Sequence, residues 1–471
     1  MRLAVSVISL FVKSSTLLAI VVLVTAVALY VWPMFTGVDE GLFRAGALVV
    51  ATIGFWASGA LPEYVTGLGF LLGAVLLRVA EPSVAFSGFF STALWLVFGG
   101  LVIGFAVGHT GLGERLARFM LSRLSLSFAG VIYGLVAVSV VLSFIIPSSM
   151  GRTVVLMPIG LAIADSLGFS EGSRGRSAIA MAIGFGVVLP GFAILPANVP
   201  QIILAGAAET NYGLTINYAQ YLMLHFPLIG LAKAGLIAAI IILLFHDVPK
   251  PISASETNVP STRSQRILTW IVLATLALWV TDSIHHVSPA WIALGAAILL
   301  LIPAVGVLPA RAFSGINFTP IFYVAGVLGV GALVTHSGLG AVIGGKLIEL
   351  LSPQAGETLT NTISLVAVAM VTGLVTTLAG LPAVLTPLAQ EFSNVTGLPL
   401  ITVLMTQVIG FSTVILPYSS PPLILAFAMG GVRLADGTRL CLAVAGITII
   451  LLMPLNFLWW NFLGYFNKIP L

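Results

Sequence analysis

The sequence predicts an all-α polytopic membrane protein, an inverted repeat of about 11 transmembrane helices with two opposed re-entrant hairpins. Three observations carry this. The chain is 59% hydrophobic and 7% charged, with mean hydropathy +1.15, far from the roughly 25% charged residues of a soluble domain. The few charges fall at the ends of apolar stretches. The order of elements before a polar linker near the middle of the chain recurs after it.

The elements follow from the charges. Residues 1–40 hold an N-terminal transmembrane helix: Arg2 and Lys13 precede an apolar stretch, Leu17–Val31, that is long for a cleaved signal sequence and lacks a small-x-small site before Trp32-Pro33. The first repeat occupies residues 41–246, with spans near 44–60, 63–80 and 91–112. A short basic stretch, Gly113–Arg123, leads to a hairpin over residues 128–167. Between Leu124 and Ala164 the only charge is Arg152, inside Pro147-Ser148-Ser149-Met150-Gly151-Arg152-Thr153. Pro147 removes a donor and Gly151 favours a bend, so half-helices Phe128–Ile146 and Thr153–Leu167 are expected around a polar tip. A charge in such a run is expensive in lipid and marks a functional position. Spans Ser177–Ala208 and Tyr221–Phe245 complete the repeat, the former broken at Leu195-Pro196-Ala197-Asn198-Val199-Pro200.

The linker, residues 247–266, is rich in Pro, Ser, Thr and charge. The second repeat, residues 267–471, has spans near 267–283, 289–308 and 316–337, a hairpin over 358–395 interrupted at Thr376-Thr377-Leu378-Ala379-Gly380-Leu381-Pro382, and spans 397–430 and 440–464. The first of those last two is broken at Leu416-Pro417-Tyr418-Ser419-Ser420-Pro421-Pro422. Glycine-rich spans occupy matching places, Leu94–Gly113 and Ile321–Gly340. Paired broken helices in corresponding positions of two halves point to a secondary transporter with a midplane site.

With the N-terminus in the cytoplasm, 13 Lys and Arg fall inside, four outside and two, Arg152 and Lys233, within spans. That bias sets the orientation. The first hairpin then opens from the cytoplasm, the second from outside, and the C-terminus lies outside.

Several motifs are similar to one known family. Ser148 to Pro158 and Thr377 to Pro387 have the ten-residue spacing of a Ser-Asn-Thr signature that ends in proline. Leu195-Pro196-Ala197-Asn198 and Ser420-Pro421-Pro422-Leu423 stand where a Thr-Pro-Pro-Asn-like helix break belongs, and the stretch Leu94–Arg118 is also similar. From about Ala45 onward the chain resembles the divalent anion/sodium symporters, within the ion transporter superfamily. The signatures are degenerate: Ser148-Ser149-Met150 keeps only its serine, Thr377-Leu378-Ala379 only a hydroxyl, and Leu423 replaces asparagine. The resemblance implies a homodimer, an elevator-type movement and Na+ as the coupling ion, with no other cofactor. It implies substrate contacts from Ser148, Ser149, Arg152, Asn198, Thr377 and Ser420, and sodium contacts from Ser148, Ser149, Asn198, Thr376, Thr377 and Ser419. Arg152 lies where some dicarboxylate-exchanging relatives carry an arginine.

The chemistry of the residues agrees with an anion site. Half-helix N-termini favour anions, unwound carbonyls and hydroxyls suit Na+, and the guanidinium of Arg152 offers a planar fork to a carboxylate or sulfur oxyanion. The rival for Arg152 is a structural arginine that satisfies buried carbonyls. The expected function is secondary active transport of a small divalent anion, a C4-dicarboxylate or a sulfate-like oxyanion, coupled to Na+. The alternatives are a Na+-independent anion exchanger, an H+-coupled transporter, and, from another class, an anion channel. No carboxylate stands at either tip or break, which argues against a carboxylate-based enzyme there. Scattered histidines and the single Cys441 argue against a transition-metal site or a disulfide. The net charge of +4 reports topology rather than nucleic-acid binding. The partners expected are the anion, Na+, the lipid bilayer and a second copy of the chain, in a bacterial inner (plasma) membrane.

Overall fold

A computed structural model describes residues 2–36, 39–121, 127–249, 261–376 and 378–467. Thr377 and most of the linker, residues 250–260, lie outside the described residues. The described residues form helices and no strand. Among them, seven helices are long and apolar enough to cross a membrane, and six shorter apolar helices accompany them.

The helices sort into two groups by what they pack against. In the first, the second span of each half lies on the third span of the other. Helix Glu63–Leu76 packs on Thr319–His336, and Pro289–Leu301 packs on Thr92–Thr110. Glycine permits both approaches: a Cβ at Gly326 would stand 2.6 Å from the Cα of Gly67, and one at Gly99 2.6 Å from Ala293 Cβ. Gly99 and Gly326 hold equivalent places in the two glycine-rich spans, five residues after Leu94 and Ile321. The N-terminal helix, Arg2–Val31, joins this group through Glu40–Ser58.

The second group holds the interrupted helices. Phe128–Ile145 and Ser149–Ser166 meet at Ile146-Pro147-Ser148, and both pack on Arg174–Val188. That helix is the most enclosed part of the protein, buried at every residue from Ser177 to Val188. It ends in a 3-10 turn, Pro190–Ala193, and the chain resumes as Val199–Tyr212. The later half is similar: Thr358–Val375 packs on Leu400–Ser412, whose break is a 3-10 turn at Pro417–Ser419 before Pro421–Gly430. The second member of each broken pair crosses to the other half. Pro421–Gly430 lies on Ser149–Ser166 and Arg174–Val188, while Val199–Tyr212 lies on Gly380–Leu385.

Polar contacts join the two groups. Glu209 Oε2 accepts from the Thr92 backbone N–H at 3.0 Å, Thr92 Oγ1 at 2.7 Å and Ser91 Oγ at 3.2 Å. Thr335 Oγ1 donates to Asn211 Oδ1 at 2.8 Å. Glu209 thus caps helix Thr92–Thr110 from a distant segment, a favourable place for a negative charge.

One expected boundary moves. The second half-helix of the first pair begins at Ser149, four residues before the expected Thr153. Ser148 explains this: its backbone is extended and its Oγ accepts from the Gly151 N–H at 3.1 Å, an N-cap that brings Gly151 and Arg152 into the first turn. Pro158 is carried inside this helix.

Candidate functional site at two helix breaks

Arg152 leaves the first turn of Ser149–Ser166 and is fully buried. Its Nη1 donates to Ile146 O at 2.5 Å and to Ala197 O at 3.0 Å. Its Nη2 donates to Val187 O at 2.9 Å and to Asn198 Oδ1 at 2.8 Å. Val187 lies in the last turn of its helix, and Ile146 and Ala197 lie in the tip and the break. A carbonyl in a last helical turn, such as that of Val187, has no donor within its own helix, whereas Ile146 O also accepts from the Ser148 N–H at 2.8 Å. The guanidinium therefore ties the tip of one helix pair to the break of the next, and its four described hydrogen bonds all go to protein oxygens. Its Nε has no hydrogen-bond partner among the described residues.

Asn198 completes the junction. Its amide oxygen accepts from Arg152 and its Nδ2 donates to Val188 O at 3.0 Å. It precedes Val199–Tyr212 without capping it through the side chain. Gln201, one turn on and fully buried, donates from Nε2 to Gly191 O and Ile194 O at 3.0 and 2.9 Å. Its Oε1 is buried and has no hydrogen-bond partner among the described residues. Gly191 leaves room for the junction, since a Cβ there would stand 2.9 Å from Arg152 Nη2 and 3.0 Å from Asn198 Nδ2. Gln201 and Gly191 were not picked out from the sequence. The available signal was a glutamine in the first turn after Pro200, within an apolar span.

The other expected residues fall as follows. Ser148 is the N-cap described above. The Ser149 carbonyl accepts from Thr153 Oγ1 at 2.9 Å, and Ser149 is half-buried. Thr376 donates from Oγ1 to Thr372 O at 2.9 Å, a bond within its own turn. Ser419, buried, donates to Leu416 O at 2.8 Å. Ser420 is buried immediately before Pro421–Gly430. Tyr418 links the second break to the second helix pair by donating to Leu374 O at 2.9 Å. Thr377 lies outside the described residues.

The turn of the first break packs on the helix that precedes the second. Phe192, in the turn of the first, lies 5.4 Å centroid to centroid from Phe411, at the end of Leu400–Ser412. Tyr221 Oη donates to Phe192 O at 2.7 Å. Lys233, fully buried, donates from Nζ to Ser412 O at 2.6 Å. Arg152 thus donates to carbonyls around the first break and Lys233 to the last carbonyl of the helix before the second. Among the described residues no group of three His, Cys, Asp or Glu side chains is placed to hold a metal ion.

Comparisons with known proteins agree with this architecture. A relative in Cupriavidus necator, described as a membrane protein, is 25% identical over 332 residues, 64% of either chain. A sodium-dependent dicarboxylate transporter, SdcS, of Staphylococcus saprophyticus is 26% identical over 40% of this chain and 38% of its own. Dicarboxylate transporter 2.2, chloroplastic, of Arabidopsis thaliana is 23% identical over 89% of this chain and 79% of its own. The chain thus matches less than two thirds of the length of the first two of these relatives. The crystal structure of the Alcanivorax borkumensis YdaH transporter is similar in fold, with a TM-score of 0.55 and 16% identity over 91% of this chain and 99% of that one. The family model for the sodium:sulfate symporter transmembrane region matches residues 12–466, and the chain belongs to that family.

Proposed function

We propose that this protein is a secondary active transporter of a small divalent anion, a C4-dicarboxylate or a sulfate-like oxyanion. The observation that carries the reading is the packing of the first helix break against the end of the helix that leads into the second, at Phe192 and Phe411. Broken helices present unpaired backbone groups in a region otherwise apolar, which suits an ionic ligand. The printed names of relatives supply the substrate class: dicarboxylate for those of Staphylococcus and Arabidopsis, sulfate for the family.

Two repeats of opposite orientation, residues 41–246 and 267–471, would move the substrate by alternating access. The group holding Arg174–Val188 would travel as an elevator against the group holding Thr92–Thr110, within a homodimer in a bacterial inner membrane. The reciprocal packing of the halves supports this reading. The family name favours Na+ as the coupling ion. One observation favours Na+-independent exchange: the carbonyls at the first break already receive a guanidinium, that of Arg152.

Uptake of labelled succinate and sulfate into proteoliposomes tests the function, with and without a Na+ gradient and with and without the anion inside. Saturable uptake is expected, driven by Na+ for symport or by internal anion for exchange. No uptake of either anion, or a current that rises without saturation, overturns the reading.

A further inference from the structure

Lys233 is a second buried basic side chain with no carboxylate partner among the described residues. The described ion pairs lie elsewhere, at Arg44, Arg118, Arg176, Lys346 and Arg433. Its one described acceptor is Ser412 O, 2.6 Å away. Ser412 is the last residue of Leu400–Ser412, whose chain leaves helical geometry at Thr413. The carbonyls of such an end have no donor within their helix and carry its partial negative charge.

The approach of Lys233 is built into its own helix. It follows a seven-residue π-helical segment, Phe226–Ala232, that contains Pro227. Single π turns are rare and recur at functional sites. This one packs against Pro190–Ala193, the turn of the first break, and the preceding helix holds that turn through Tyr221 Oη. The π segment touches the first break while the next residue reaches the second. A pair of basic residues results. Arg152 donates to helix-end carbonyls at the first break, and Lys233 to one at the second.

We propose that Lys233 is a tethered cation at the second helix break, standing in for a mobile cation, so that this half of the site carries its positive charge without binding Na+. A bound anion would then complete the charge balance of a buried ammonium whose one described acceptor is a carbonyl oxygen. The proposal rests on the anion-transporter reading for its purpose, though its cation test does not need transport.

The experiment compares wild type, Lys233→Ala and Lys233→Met in detergent and in proteoliposomes, with NaCl, NH4Cl or N-methylglucamine chloride. Removing the donor leaves a buried carbonyl unpaired, so both variants should lose uptake by roughly 10- to 100-fold in N-methylglucamine. Lys233→Ala leaves space for a small cation, so Na+ or ammonium should restore its uptake and raise its thermal midpoint. Lys233→Met fills the space with an uncharged chain and should respond to neither. Wild type should show no such gain at this position. If Lys233→Ala does not give folded protein, Lys233→Ser carries the same comparison. The proposal is overturned if the small-residue variant gains no more from Na+ or ammonium than Lys233→Met does, or if both variants transport like wild type. If wild type moves no anion, the transport reading fails, while the thermal comparison still decides the role of Lys233.

Discussion

Arg152 Nη2 lies 2.8 Å from Asn198 Oδ1, and this bond joins the tip of one helix pair to the break of the helix it packs against. The same guanidinium donates to three backbone carbonyls around the junction. A planar fork can serve four acceptors at once, which the single ammonium of lysine cannot. Removing it would take this donor from Val187 O and Ala197 O in a dry interior. Arg152→Ala is therefore expected to lower stability by about 3 kcal/mol, with Arg152→Lys recovering part of it. Thermal unfolding in detergent measures this. If Arg152→Lys unfolds like wild type yet no longer responds to any anion, the side chain is a ligand rather than a tie.

Asn198 serves the tie from the other side. Asn198→Asp keeps an acceptor for Arg152 and adds an opposite charge, at the loss of the donor to Val188 O. Asn198→Ala loses both and should cost about 1–3 kcal/mol. The aspartate variant should thus unfold at the higher temperature. The reverse order would remove the Arg152 pairing as the reason for this asparagine.

Gly191 tests the space around the junction. Gly191→Ala places a methyl 2.9 Å from Nη2 of a guanidinium held by four bonds, so it cannot simply swing away. Overpacking of this kind costs about 1–3 kcal/mol. In an Arg152→Ala background the contact with Nη2 is gone and only that with Asn198 remains, so the two substitutions should be non-additive in unfolding measurements.

Glu209 caps Thr92–Thr110 across the boundary between the two helix groups. Glu209→Ala leaves the Thr92 N–H without that carboxylate and should cost about 1–3 kcal/mol. Under the elevator reading this contact has to break in each cycle, so the same variant should alter uptake rate. Equal rates in proteoliposomes would separate the contact from the moving step.

Some of the site was legible in the sequence for local reasons. Pro147, Pro196 and Pro417 remove backbone donors, so the interruptions near them follow from covalent structure. The isolated charge of Arg152 in an apolar run marked the first tip. The start of the second half-helix was misplaced because Ser148 caps it, and a serine beside proline reads equally well as part of a turn. Gln201 and Gly191 were not legible, because one is a glutamine among apolar residues and the other a glycine among many. Thr377 lies outside the described residues, so its expected role stands as a proposal.

The sequence by itself determined a membrane protein with two halves, each with a glycine-rich span and an interrupted helix. Hydropathy, proline and glycine act along the chain and need no partner. The tertiary structure alone decided where the buried charges point. Arg152 reaches Val187, Ala197 and Asn198, and Lys233 reaches Ser412, 179 residues away. A hydrogen bond depends on distance and direction between atoms, and spacing in the sequence does not specify either until the helices have packed.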